Sequence, residues 1–171
     1  YQKSLSIFEE LGSEGGIAIN LGNIGNLYVD ISEYSNALTY LQKALTLNEK
    51  LGNKNGIAIN LGNIGNVYGY LSEYSNALKY LQKALAINEE IGKKEGIARD
   101  LANIGTTYAK KEFDGYDAAK SEEFLLKAIA MCEEIGAKQH LYETRKILAE
   151  LYEHEKRDSE ALVQFKKFYE T

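Results

Sequence analysis

The feature that most constrains this chain is a repeat of 40 residues that recurs without a gap. Residues 17–56 read IAINLGNIGNLYVDISEYSNALTYLQKALTLNEKLGNKNG, and residues 57–96 match them at 29 of 40 positions. A third copy begins at Ile97 and carries four additional residues around 112–123, and a fourth, more divergent copy begins at Leu141. A fixed period of this length predicts a linear array of small units, each of which buries its apolar face against its neighbours.

Each repeat unit is predicted to be a pair of helices. The apolar residues of its first half recur at i, i+3, i+7 and i+10, and they are Leu21, Ile24, Tyr28 and Ile31. The apolar residues of its second half have the same spacing and are Ala37, Leu38, Leu41, Ala44, Leu45 and Leu47. The polar segment 32–35 predicts a turn with Ser35 as the next N-cap, and Gly52 is expected to end the second helix in the left-handed conformation. The chain contains no proline, which favours helix throughout.

Small residues within each unit indicate where its two helices meet. Gly25, Ala37 and Ala44 are expected at the points where the helix axes approach closely, because a larger side chain would separate them. The fold class predicted from these patterns is all-α.

The unit resembles the tetratricopeptide repeat, because L-x-x-I-G-x-x-Y is followed by small and apolar residues at Ala37, Leu41 and Ala44. Its length is similar to the longer variant found in kinesin light chain and in partner-of-inscuteable-like proteins. The resemblance implies a right-handed superhelical solenoid of antiparallel helix hairpins with a concave inner face. We expect a single solenoid over residues 1–171 with about nine helices, made of a half-unit (1–16) and the units 17–56, 57–96, 97–140 and 141–171.

The C-terminal part, from Lys111 onward, resembles tetratricopeptide regions of bacterial signalling proteins that precede an adenylate or guanylate cyclase domain or a histidine kinase. This resemblance implies a piece of a larger bacterial signalling protein, of which the chain is a non-catalytic sensory or scaffolding region. Three alternatives stay open: a peptide-sensing regulator domain, a self-assembling scaffold, and the non-catalytic part of a nucleotide cyclase.

The sequence contains no recognisable catalytic or cofactor motif. Phosphate-loop, dinucleotide-binding, HExxH and CxxC patterns are all missing, and His140 and His154 are the only histidines. Cys132 lies among apolar residues, which predicts a buried structural thiol. We therefore expect no enzyme activity, no cofactor and no metal.

Charge and hydropathy exclude two further classes of partner. A formal net charge of −5 argues against nucleic acid and against an anionic membrane surface. The GxxG pattern of Gly22–Gly25 and Gly62–Gly65 occurs in some RNA-binding domains, but here it lies within an amphipathic helix. No apolar run reaches the roughly 20 residues of a membrane span. Together with the single cysteine, these features favour the cytoplasm.

The inner face of the first helices is the predicted binding surface. The resemblance places Asn23, Asn63 and Asn103 there at one level, with Asn26 and Asn66 one turn further along. A carboxamide both donates and accepts hydrogen bonds, which suits the main chain of an extended peptide or protein segment, and in related repeats the equivalent asparagines bind peptide main chain. Recent duplication alone is the alternative explanation. The predicted peptide-binding residues are Asn23, Asn26, Asn63, Asn66, Tyr70, Arg99, Asn103 and Lys110.

Glycines are also expected on this inner face. Gly22 and Gly62 each destabilise a helix by about 1 kcal/mol relative to alanine. We expect them to leave room for a bound chain.

The four additional residues of the third unit predict a longer loop, or an extra helical turn, between its two helices. Since the apolar spacing resumes at Phe124, packing on either side of the insertion is expected to be undisturbed.

The two ends of the array are expected to mediate weak end-to-end self-association. Leu5, Ile7 and Leu11 are predicted to pack on the first complete unit. Leu162, Phe165, Phe168 and Tyr169 form an apolar stripe that is only partly used by Leu148 and Tyr152. Exposed apolar surface of this kind favours a partner.

Overall fold

The protein is described by a computed structural model that covers residues 13–169, with side chains up to 167. Within that range every regular element is a helix. The eight helices are α1 Glu14–Asp30, α2 Tyr34–Lys50, α3 Lys54–Tyr70, α4 Tyr74–Glu90, α5 Lys94–Tyr108, α6 Ala118–Ile135, α7 Lys138–His154 and α8 Asp158–Tyr169. A ninth helix was predicted at the start of the chain, and its residues Leu5, Ile7 and Leu11 lie outside the described range.

Consecutive helices pack as four hairpins, α1 with α2, α3 with α4, α5 with α6, and α7 with α8. The chain divides into two compact units, residues 1–91 and 92–171. In the first unit α2 also packs on α3, and in the second unit α6 also packs on α7. Each unit therefore contains two hairpins joined by a helix–helix interface, as the repeat predicts.

A glycine marks the closest approach of the two helices in each of the first three hairpins. A Cβ atom on Gly25 would lie 2.7 Å from Cγ of Leu41, which is closer than carbon atoms pack. Ala37 and Ala44 are fully buried beside this contact. The prediction that these three small residues lie between the helices is confirmed. The same contact recurs between Gly65 and Leu81 and between Gly105 and Leu125.

Two kinds of turn connect the helices. Gly52 has a φ of +64° after α2, which confirms the predicted left-handed residue at that helix end. In the turn after α1 the left-handed residue is Ser32, with a φ of +60°. The prediction that Ser35 caps α2 is wrong, because the N-cap position lies two residues earlier, at Glu33, which makes no side-chain capping bond.

Each compact unit has its own apolar core. In the first unit, the buried residues are Ala37, Leu41, Leu45, Leu61, Ile64, Val67 and Ala84. In the second unit, they are Ala98, Leu125, Ile129, Cys132, Leu141, Leu148, Leu151, Tyr152 and Ala161. Phe165 packs against this second core, whereas Leu162 is 54% exposed, so the stripe on α8 is partly used as predicted.

The insertion in the third hairpin forms a loop between α5 and α6. The backbone N–H of Asp117 donates to the carbonyl oxygen of Tyr108 at 3.1 Å, in the same way as Glu33 donates to Tyr28 in the first hairpin. The rings of Tyr108 and Phe124 stack at a centroid distance of 5.9 Å. The two helices on either side of the loop thus make the contacts expected of this hairpin. The prediction of a longer loop with undisturbed packing is confirmed.

A charged network joins the third and fourth hairpins within the second unit. Nη1 of Arg157 donates to Oε2 of Glu122 at 2.6 Å, and the hydroxyl of Tyr152 donates to Oε1 of Glu122 at 2.8 Å. The hydrogen bonds from Arg157 lower the pKa of Glu122 below its usual value. Burial, together with the bond to Glu122, raises the pKa of Tyr152 to about 12. At neutral pH the Glu122 carboxyl group is therefore ionised and the Tyr152 hydroxyl is protonated, so the hydrogen bonds between these groups persist.

Candidate functional site

Four of the predicted binding residues lie on one side of α1 and α3, and we call this surface the asparagine face (Asn23, Asn26, Asn63 and Asn66). Asn26 is exposed, and the other three are half-buried. Nδ2 of Asn63 donates to Oδ1 of Asn26 at 2.9 Å. The structure therefore brings together two asparagines that are 37 residues apart in the sequence.

The bond between Asn26 and Asn63 leaves polar groups available on both side chains. The amide nitrogen of Asn26 and the amide oxygen of Asn63 are not used in it, so a donor and an acceptor remain side by side. The side chains of Asn23 and Asn66 have no hydrogen-bond partner among the described residues. This arrangement of donors and acceptors matches what the N–H and C=O groups of an extended peptide require.

Apolar side chains border the asparagine face. Ile19 on α1 is 65% exposed and Tyr70 at the end of α3 is 60% exposed. The ring of Tyr70 stacks on the ring of Tyr34 with a centroid distance of 5.6 Å, which holds it in position. The face thus combines neutral hydrogen-bonding groups with exposed apolar surface.

The glycines of the face have a different role from the one predicted. A Cβ atom on Gly22 would lie 3.3 Å from Oδ1 of Asn60, and Gly62 is buried. Gly22 therefore lies at the contact between α1 and α3, and its small size serves the packing of these helices. Near the end of α3, Gly69 has open space at its Cβ position.

The remaining predicted residues belong to the second compact unit, residues 92–171. Arg99 and Asn103 are half-buried on α5, and Lys110 is exposed just beyond the end of that helix. Nε and Nη2 of Arg99 donate to Oδ1 of Asp100, each at 3.3 Å. The side chain of Asn103 has no hydrogen-bond partner among the residues that the structure describes. Arg99 gives this face of α5 a positive charge, and Lys110 adds a second one just beyond the helix, in contrast to the neutral asparagine face.

The sequence analysis missed one set of polar residues, which are buried at the same position of all four repeats. They are Asn20, Asn60, Asp100 and Thr144. The amide of Asn20 donates to the carbonyl oxygen of Gly16 at 3.0 Å, so this buried asparagine is satisfied within its own helix. Their recurrence at one repeat position was the available signal, but periodicity does not separate buried from exposed asparagines.

The described part of the chain offers no centre for metal or thiol chemistry. Between residues 13 and 169 no three His, Cys, Asp or Glu side chains are grouped so that they would hold a metal ion. Burial raises the pKa of the Cys132 thiol, which disfavours the reactive thiolate. In the same range, no helix has the length and apolar character that crossing a membrane demands.

The family comparisons agree with this geometry. Models described as tetratricopeptide repeat match residues 18–51 and 56–114, which together exceed half of the chain. The all-α hairpin array therefore belongs to the class of helical repeat proteins, and the chain is a member of the tetratricopeptide repeat family. Proteins of this family are interaction modules that act as non-catalytic scaffolds. No curated protein matches the chain in sequence.

Solved structures show the same fold at low sequence identity. BtubC (BKLC) from P. vanneervenii superposes with a TM-score of 0.79 at 15% identity over 92% of this chain and 64% of its own. The apo form of RapI gives a TM-score of 0.80 at 20% identity over 88% of this chain and 54% of its own.

A third match is a Signal Transduction ATPase with Numerous Domains from Pyrococcus horikoshii, with a TM-score of 0.79 at 20% identity over 98% of this chain. The chain spans 26% of that protein, so it corresponds to between about a quarter and two thirds of the length of these three structures. These similarities establish the tetratricopeptide solenoid fold.

Proposed function

We propose that the asparagine face binds an extended segment of a partner protein through its main chain. The observation that carries this proposal is the bonded pair Asn26–Asn63, which leaves one donor and one acceptor side by side on an accessible surface. Asparagine is a poor helix former, so its repetition at these exposed and half-buried positions needs a reason beyond folding. Exposed Ile19 and Tyr70 would add apolar contacts along the bound segment.

We further propose that this module is the sensory or scaffolding region of a larger bacterial signalling protein. The similar Pyrococcus horikoshii protein is a signal transduction ATPase that carries a tetratricopeptide repeat sensor. The resemblance of the C-terminal part to repeats that precede output domains supports the same assignment. A cytoplasmic location, with no nucleic acid or membrane partner, agrees with the acidic composition.

The Asn23→Ala/Asn63→Ala/Asn103→Ala variant tests peptide binding. A net hydrogen bond contributes about 0.5–1.5 kcal/mol, so the loss of three of them is expected to weaken binding at least tenfold, as roughly 1.4 kcal/mol corresponds to a factor of ten. Helicity should persist, because alanine is the better helix former. The measurement is the affinity for peptides selected from a random display library on the wild-type chain, together with circular dichroism.

The matched control is Asn36→Ala/Asn76→Ala. These asparagines are exposed on α2 and α4, where each donates to a glutamate in its own turn. The control should bind the selected peptides as the wild type does. Unchanged affinity in the triple variant would remove the asparagine face as the binding surface.

Weak end-to-end self-association is the second candidate function. Leu162 on α8 and Ile31 at the end of α1 are both exposed apolar residues, which favours contact with another molecule. Light scattering over a concentration series should show a mass that rises slowly with concentration. A dimer that persists at high dilution would make assembly, instead of peptide binding, the leading function.

A further inference from the structure

The third hairpin departs from the first two at a pair of adjacent positions. The first two hairpins carry an isoleucine followed by an asparagine, Ile19–Asn20 and Ile59–Asn60, whereas the third carries Arg99–Asp100. The side chain of Asp100 is 0% exposed, and Asn20 and Asn60 are also buried. Since a buried carboxylate is costly unless it is paired, its presence at this position requires a cause.

The arginine beside it is one partner of this carboxylate. Oδ1 of Asp100 accepts from Nε and from Nη2 of Arg99, and the arginine side chain stays 32% exposed. Two N–H groups of the guanidinium point to Asp100, and the others remain for a ligand. Asn103 lies one turn further along α5 with an amide that no described residue occupies. We infer that these two bonds make Asp100 a positioning residue for Arg99.

The corresponding surface of α7, in the same compact unit, has the opposite charge. Thr144 and Leu148 are buried like Asp100 and Ile104, which come 44 residues earlier, so the two helices present equivalent faces. On α7 this face carries three exposed acidic side chains, Glu143, Glu150 and Glu153. Lys146 lies 3.8 Å from Glu150 and neutralises only part of that charge. Arg99 on α5 thus lies beside an acidic row on α7, the helix that packs against α5.

We propose that the second unit selects a partner segment in which an acidic residue and a basic residue lie about three positions apart. The acidic residue binds Arg99, and the basic residue binds Glu143, which comes 44 residues after Arg99 and lies at the same level on α7. Packed helices lie about 8–10 Å apart, and an extended chain advances about 3.3 Å per residue. This inference rests on the proposed binding of an extended segment and adds the charge pattern of that segment.

Charge reversal in a peptide selection tests the inference. The probe is a display library of random short peptides, selected on the wild-type chain, on Arg99→Glu and on Glu143→Lys. We expect the wild type to enrich acidic and basic residues two to four positions apart, as the helix spacing and strand rise allow. Arg99→Glu should lose the acidic preference, and Glu143→Lys should lose the basic one.

A control reversal and a positioning variant complete the experiment. Glu123→Lys alters an exposed residue of α6, paired with Lys127, and should leave the enriched peptides unchanged. Asp100→Asn restores the residue found in the first two hairpins, so the fold should persist. The selected peptide is compared with the same peptide that carries glutamine in place of its acidic residue. In the Asp100→Asn variant the ratio of their affinities should be roughly tenfold smaller than in the wild type, because one charged hydrogen bond contributes about 1.5 kcal/mol or more. C-terminal amidation should have no effect, because the bound carboxylate is a side chain.

The outcomes separate this inference from the proposed function. Peptides that are enriched without the charge pair would overturn the inference and leave main-chain binding by the asparagine face intact. Loss of binding on C-terminal amidation would assign Arg99 to a terminal carboxylate and would also overturn it. If no peptide is enriched on the wild-type chain, the proposed function fails, and the inference fails with it.

Discussion

Replacing Gly65 by alanine is expected to destabilise the first unit by about 1–3 kcal/mol, the usual cost of overpacking a core. The new Cβ atom would lie 2.8 Å from Cγ of Leu81 and 3.2 Å from the carbonyl oxygen of Ala77. Alanine favours a helix over glycine by about 1 kcal/mol, so the steric effect has to exceed a real gain in propensity. Urea denaturation followed by circular dichroism measures the difference.

Gly69→Ala is the matched control, since Gly69 lies four residues further along the same helix. No atom lies within 4 Å of the Cβ position at Gly69. The control should therefore stabilise the protein by about 0.5–1 kcal/mol, the propensity gain of alanine over glycine. If both variants changed the free energy of unfolding in the same direction, the contact with Leu81 would not be what limits the size of the residue at position 65.

The hairpin architecture was predictable because each repeat places small and apolar residues at the same positions of its two helices. Gly25 and Ala37 could be assigned to the helix–helix contact from their spacing alone, since only small residues allow two axes to approach there. Gly52 could be assigned to a left-handed helix end because glycine adopts that conformation without steric cost. The insertion before Phe124 was predictable as a loop because the apolar spacing resumes after it.

The turns after α1 and α3 were less predictable. Ser32 and Ser72 adopt left-handed φ values of +60° and +59°, a conformation for which the sequence offers no glycine. The turn is fixed instead by a backbone bond across it, from the N–H of Glu33 to the carbonyl oxygen of Tyr28 at 2.8 Å. This bond ends the turn at Glu33, two residues before Ser35, so α2 starts at Tyr34 and a cap at that serine was the wrong prediction.

The asparagine face shows a second limit of the sequence. Asn20 and Asn23 belong to the same helix and the same repeat, yet only Asn20 is buried. A buried asparagine is tolerated because its amide bonds a carbonyl of its own helix, so polarity alone does not predict exposure. The contact between Asn26 and Asn63 depends on the register of α1 against α3, which tertiary packing sets.

Leu81→Ala is expected to have the largest effect on stability, a loss of about 2–5 kcal/mol, which is typical when a buried leucine is truncated. Leu81 is 1% exposed and lies directly over Gly65. Removal of its side chain forfeits buried apolar area and leaves a cavity that close-packed neighbours fill only partly. The midpoint of urea denaturation gives the loss, and Leu71→Ala, at an exposed leucine of the same unit, should change it little.

The double variant Gly65→Ala/Leu81→Ala then separates steric overlap from helix propensity. With Leu81 truncated, the alanine Cβ at position 65 no longer meets Cγ and Cδ2 of leucine. It enters the cavity instead, so the double variant should be more stable than the sum of the two single losses predicts. Contacting residues show coupling of about 0.5–3 kcal/mol in such cycles. Additive losses would mean that the alanine at position 65 destabilises the helix through Ala77 or another neighbour, and that Leu81 is not the residue that requires glycine there.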